Sequence, residues 1–205
     1  MSAPERPDLK DSPMGDWIEV GQVVKLQVQR DRLRAGNVYR LHNLAEVSAL
    51  RLTPDGPIGF DGSSWVVDRH HRAHPSAVHY NPARALSIGF TSHYRYIWER
   101  FEPIPLGAAG ENLIVDTDRR VTLADLAGGI RIETFTDSAL IATAAIAEPC
   151  VPFTRLVTGR PDARASEIVE ERTHLRRGIR GFVMALTGVD NFDVAPGARV
   201  WVRAA

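Results

Sequence analysis

Cysteine is nearly absent: Cys150 is the single one in 205 residues. That excludes an intrachain disulfide and fits a reducing compartment, the cytoplasm. Lysine is almost as scarce, with only Lys10 and Lys25. Arginine therefore carries nearly all the positive charge, and a bound anion is expected on guanidinium forks or backbone amides. A net charge of either sign is missing too. Basic and acidic residues both total 25, which removes the basic footprint of a nucleic-acid binder. No apolar run approaches the length of a membrane span, so no membrane partner is expected. Met1 to Asp16 is polar, holds three prolines and lacks the apolar core of a secretory leader. The GxSxG, HExxH and phosphate-loop patterns, and the dinucleotide fingerprint, do not occur.

What is present suffices for one real core, with 44% hydrophobic residues. Residues 1–22 are expected as a frayed tail and 23–205 as the domain. Val23 to Gln29 alternates, with Val24, Leu26 and Val28 opposite Lys25, Gln27 and Gln29, the period of a half-buried strand. Further strand candidates are Val38 to Leu41, Val47 to Leu52, Ser64 to Val67, Leu113 to Val115 and Ile130 to Phe135. Phe182 to Leu186 and Arg199 to Val202 close the series. The continuous apolar run Ala139 to Ala147 suggests a strand buried on both faces. Ser92 to Glu102 reads as a helix, capped by Thr91 or Ser92, with Tyr94, Ile97, Trp98 and Phe101 on one core-facing side. Ala163 to Arg177 reads as a polar, exposed helix. Strands outnumber helices, so the fold class is all-β or β-rich, a barrel with a few helical insertions.

Three segments carry chemistry. Cys150 sits in Glu148-Pro149-Cys150-Val151-Pro152, where an apolar strand stops and a rigid turn begins. Pro152 suits the start of a short helix, which would place the thiol at a helix N-terminus and favour the thiolate. A buried structural thiol explains the same position equally well. The second segment, Asp68 to His74 with His79, gathers four of the seven histidines. His70 and His74 at i, i+4 would suit zinc on a helix, but Pro75 and the arginines favour a hydrogen-bonded loop. The third is Gly107-Ala108-Ala109-Gly110-Glu111-Asn112-Leu113, whose glycines allow close backbone approach and leave amides free for an anion. A tight turn before a strand accounts for it as well.

Taken in order, the histidine loop running into Ala77-Val78-His79-Tyr80, the aromatic helix, Gly110-Glu111-Asn112-Leu113, Pro149-Cys150 and Arg180-Gly181-Phe182 form a pattern. It resembles the MOSC domain, named after the C-terminal domain of molybdenum cofactor sulfurases. The likeness is to short stand-alone bacterial members related to the hydroxylaminopurine-resistance proteins, and it runs from about Val23 to Val202. The resemblance implies a MOSC-type β-barrel with Cys150 at its centre. In one branch the matching cysteine is a thiolate ligand of molybdenum in a pterin cofactor that reduces N-hydroxylated compounds. In another it carries sulfur as a persulfide. A third reading keeps the barrel as a non-catalytic anion-binding module.

Carried over residue by residue, Cys150 is the catalytic and metal-binding candidate, with Gly110, Glu111, Asn112 and His79 lining the cofactor pocket. Stand-alone relatives usually show His-Gly-Gly and a lysine where this chain has His71 to Ser76, and an arginine where it has Ala147 and Glu148. Arg72, Arg84 and Arg155 are the candidates to supply that cation. The implied partners are a small-molecule substrate or cofactor and a redox or sulfur-donor protein. Pyridoxal phosphate binding belongs to multidomain family members whose aminotransferase-like domain this sequence lacks.

Overall fold

A computed structural model describes residues 17–77, 80–141, 144–186 and 188–203. Its strands are β1 (Trp17–Gln29), β2 (Arg34–Ala35), β3 (Val38–Tyr39), β4 (Leu44–Glu46), β5 (Ala49–Thr53), β6 (Gly56–Phe60), β7 (Trp65–Val67) and β8 (Leu86–Phe90). Helix α1 (Thr91–Trp98) leads to β9 (Leu113–Asp116), β10 (Ile130–Glu133), β11 (Ser138–Ile141) and β12 (Ala144–Ile146). Helices α2 (Val151–Thr158) and α3 (Val169–His174) precede β13 (Phe182–Met184), β14 (Phe192–Val194) and β15 (Arg199–Arg203). The fold is mostly β, with three short helices among the described residues.

One sheet runs in the order β11-β10-β15-β1-β9-β8-β13-β12, with β4 also on β1, and a smaller one runs β14-β5-β6-β7. The large sheet curls into a half-barrel because β1 serves three partners in turn. Its first half pairs with β15, its middle with β9 and its end with β4. Register shifts at Glu19/Gly21 and Val23/Lys25 turn the strand between them, as bulges do. Among the described strands every pairing is antiparallel except β8 with β9, which α1 connects as a crossover.

Side-chain alternation divides the interior. Leu113 and Val115 of β9, with Ile88 and Phe90 of β8, face the main core inside the half-barrel. Ile114, between them, faces outward into a second cluster with Tyr94, Ile97, Phe153, Val157 and Leu175 of the helical layer. Gly89 pairs with Ile114 across the parallel ladder and so opens on the helical side. Gly181, just before β13, lies in the neighbouring row. A Cβ on Gly89 would run into Oε1 of Glu111 and lie 2.8 Å from its Cγ, and one on Gly181 would lie 2.6 Å from the Ile88 carbonyl. The two glycines leave a trough that Glu111 fills.

Several boundaries differ from the sequence expectation. Trp17 to Gln22, expected in the tail, is strand; residues 1–16 lie outside the described ones. Helix α1 ends at Trp98, not Glu102. Trp98 is 38% exposed and anchors its indole N–H on the Ile104 carbonyl at 3.1 Å instead of joining the core. No side chain caps α1; Thr91 and Ser92 give their hydroxyls to Asp116 and to the Arg119 carbonyl. Leu140 is 49% exposed, because β11 buries only the face that carries Ala139 and Ile141, in a run expected to be buried on both. The polar helix divides into a 3-10 turn, Ala165–Ile168, and α3. Among the described residues no helix is long and apolar enough to cross a membrane.

Gly89→Ala is expected to lower stability by about 1–3 kcal/mol through overpacking against Glu111. Combining it with Glu111→Ala, which removes the obstructing carboxylate, should cost less than the sum of the two single changes. Thermal unfolding of the four proteins checks both; strict additivity would contradict the packing described.

Candidate functional site

Strand β12 ends beside β13, where the Ala147 amide donates to the Gly181 carbonyl at 3.0 Å. Glu148 and Pro149 then carry the chain to Cys150, the N-cap of α2, with extended backbone (φ −95°, ψ 159°). Pro152 falls in the first turn, where a missing N–H costs nothing. The Cys150 carbonyl accepts from the Thr154 amide and hydroxyl, so the turn is tied down behind the thiol. The thiol is half-buried and packs against the cluster containing Phe153 and Tyr39.

The cation at this end of the sheet is Arg180. It reaches the Glu148 carbonyl at 2.6 Å, the Ala109 carbonyl at 3.4 Å and the Tyr39 hydroxyl at 3.5 Å. Its guanidinium lies 4.9 Å over the Phe153 ring. Tyr39 in turn donates to the Ala109 carbonyl at 2.9 Å. One side chain thus joins the cysteine turn, the glycine loop and β3. Burial opposes its charge, while Tyr39, Cys150 and Glu111 favour it, and the net direction is upward, so Arg180 stays a cation. Burial pushes the Tyr39 phenol up to about 12.

Glu111 is buried, and its two carboxylate oxygens lie 3.0 and 3.1 Å from the Tyr94 hydroxyl. Burial pushes its pKa from 4.5 to about 7 against the pull of the Glu111 and Gly110 amides, Tyr94 and Arg180. Arg180 thus lies within coulombic reach of both Glu111 and Cys150.

Gly110 and Asn112 play another part. The amides of the glycine loop, expected to be free for an anion, are used internally. Gly110 N donates to Gly107 O, Ala109 N to the Tyr94 hydroxyl, and Asn112 N to Ser87. The carbonyls of Gly107 and Gly110 accept from the buried side chains of Gln27 and Gln29 at 2.7 and 2.8 Å. The Asn112 side chain accepts from the Ser87 amide and hydroxyl and donates to the Gln27 carbonyl and to Asp68. All its polar capacity is engaged in holding the loop.

Two of the arginines chosen from the sequence are engaged with other groups. Arg155 donates to the Ala163 and Asn37 carbonyls, and Arg72 approaches Asp55 at 3.8 Å. Arg84 ends a 3-10 turn, Pro82–Arg84. The histidine segment is a loop: His70 is held by Asp68 at 3.0 Å, His71 accepts from the Ala73 amide, and His74 pairs with the Arg30 carbonyl. His79 lies outside the described residues. Among the described residues no group of three or more His, Cys, Asp or Glu side chains is placed to hold a metal ion. A metal at Cys150 would therefore have to bring most of its ligands in a cofactor, which suits a lone soft thiolate. Arg180 and Tyr39 were missed in the sequence, although Arg180-Gly181-Phe182 stands in the recurring pattern.

A family model described as the MOSC domain matches residues 75–201. Solved structures share the fold, these two among them. The YUAD protein from Bacillus subtilis aligns with a TM-score of 0.60 at 16% identity, over 92% of this chain and 99% of that one. A structure described only as a hypothetical protein aligns at 0.54 and 20% identity, over 92% of this chain and 69% of that one. No curated protein matches.

The raised value of Glu111 carries a sign. Stability held by the neutral carboxyl is complete below about pH 4.5 and is lost as pH rises through about 7. Glu111→Gln does not titrate, so its stability relative to the native chain should rise over that window, by on the order of 3 kcal/mol, and level off above it. Denaturant unfolding of both proteins across pH measures this; a constant difference would contradict it.

Proposed function

This chain belongs to the MOSC domain family, and from that premise we propose that it binds the molybdenum cofactor through the Cys150 thiolate and reduces N-hydroxylated bases or similar small molecules. The family is linked to molybdenum cofactor binding. The observation that supports the reading here is the half-buried thiol at the N-cap of α2, near a cation and, among the described residues, outside any group of three or more side chains placed to hold a metal. A soft sulfur donor with one open side suits a soft metal whose other ligands come from a pterin. When bound, the cofactor would supply the two-electron change that removes an oxygen from nitrogen. Cys150 would hold it, the Glu148 to Cys150 turn and Arg180 would fix the approach to it, and Glu111 would keep a proton near neutral pH in the network that Arg180 shares. Electrons would come from a redox protein partner, and the reducing cytoplasm would keep the thiol free.

A second reading rests on the same isolation of the thiol. With no resolving cysteine in the chain, Cys150 could carry sulfane sulfur as a persulfide without closing a disulfide on itself.

Molybdenum and persulfide contents of the protein, purified from a host that makes the cofactor, separate the readings. Near one molybdenum per chain, lost in Cys150→Ser with the unfolding temperature retained, is the expected result. Persulfide sulfur without metal favours the carrier. Neither, with a destabilised Cys150→Ser, returns Cys150 to a structural role and contradicts both.

A further inference from the structure

We propose that the site at Cys150 is anion-selective: the group that comes to the thiol carries a negative charge, which Arg180 receives. This rests on the reading of Cys150 as the working thiol and goes beyond it by naming the ligand class.

Most arginines with a recorded partner are neutralised by carboxylates, as Arg51 is by Asp193, Arg100 by Glu170 and Arg199 by Glu133. Arg180 makes no such pair among the described residues. Its terminal nitrogens rest on two backbone carbonyls and a phenol, which hold it in place without cancelling its charge. Its Nε is buried and has no partner among the described residues. The carboxylate nearest in sequence to the thiol, Glu148, turns instead toward Arg176 at 3.9 Å. Glu111 favours the Arg180 charge from a distance, and no ion pair joins the two among the described residues.

The N-terminus of α2 opens at the same place. Cys150 is its N-cap, no side chain caps it, and its first amides have no helical acceptor. Their partial positive charge adds to that of Arg180. A neutral ligand can accept hydrogen bonds from either group but gains no charge–charge attraction. A phosphate ester and a sulfur oxyanion both fit this chemistry.

Because the chain has a single cysteine, alkylation reports on this site alone. Metal-free protein is treated with iodoacetate and with iodoacetamide at low ionic strength and neutral pH, and the ratio of the two rates is compared with that of the urea-unfolded chain. The folded chain should show a ratio about five- to tenfold higher, collapsing toward the unfolded value in ~1 M salt. Arg180→Gln should lose the excess and Arg180→Lys keep most of it. Inorganic phosphate or thiosulfate should slow labelling by iodoacetamide, and whichever protects at lower concentration identifies the source. A ratio equal to that of the unfolded chain overturns the proposal, and so does an excess that survives undiminished in Arg180→Gln. If that variant fails to fold, a wild-type excess insensitive to salt overturns it instead. Metal and persulfide assays on protein purified in parallel from a host that makes the cofactor keep the two ideas apart. An excess without loading leaves the anion site standing and removes the proposed function; loading without an excess does the reverse.

Discussion

A guanidinium held by carbonyls rather than by a carboxylate is the constraint on which the site depends. Burying a charge without an opposite partner costs several kcal/mol, and the cost is tolerated only where hydrogen bonds and a polarisable surface replace water. Arg180 has both, in the carbonyls of Glu148 and Ala109 and in the face of Phe153. Each of those acceptors belongs to a segment with little regular structure of its own. Removing the guanidinium would release the cysteine turn and the glycine loop from one another. The charge that makes the thiol's surroundings positive is thus also the strut that positions them.

The loop on the far side is fixed by a second layer of buried polar groups. Gln27 and Gln29 leave the end of β1 and hold two carbonyls of the glycine loop, while Asn112 joins that loop to β8 through Ser87 and to the histidine loop through Asp68. Every member has partners, which is the condition under which a buried polar network rigidifies rather than weakens a core. The backbone also contributes. Parallel pairing of β8 with β9 places Gly89 beside Ile114, and the missing side chain there gives Glu111 its place under Tyr94.

Much of this architecture is legible in the residues, and the gaps have physical causes. The alternation from Val23 to Gln29 identifies the central strand, but Gly21 interrupts the pattern and conceals its first six residues. The apolar face of α1 reads correctly at Tyr94 and Ile97, whereas the exposure of Trp98 follows from a hydrogen bond to Ile104 that no periodicity carries. Pro149 and Pro152 announce a thiol at a helix start. The cation beside it does not announce itself, because Arg155 is near in sequence and Arg180 is near only after β12 and β13 pair. The glycine loop illustrates the same limit. Its glycines suggest open amides, and only the fold reveals that Tyr94 and Ser87 have already taken them.

The central claim is that one guanidinium, Arg180, ties the cysteine turn to the glycine loop that carries Glu111. A direct measurement is carbon-13 NMR titration of the Glu111 carboxyl before and after Cys150 is modified with iodoacetate or with iodoacetamide. Titration near 7 is expected in the native chain. A new carboxylate at Cys150 should then move it upward by competing for Arg180, and the neutral adduct should move it less. A Glu111 that titrates in the ordinary carboxylate range, or that responds equally to both adducts, would contradict the shared site.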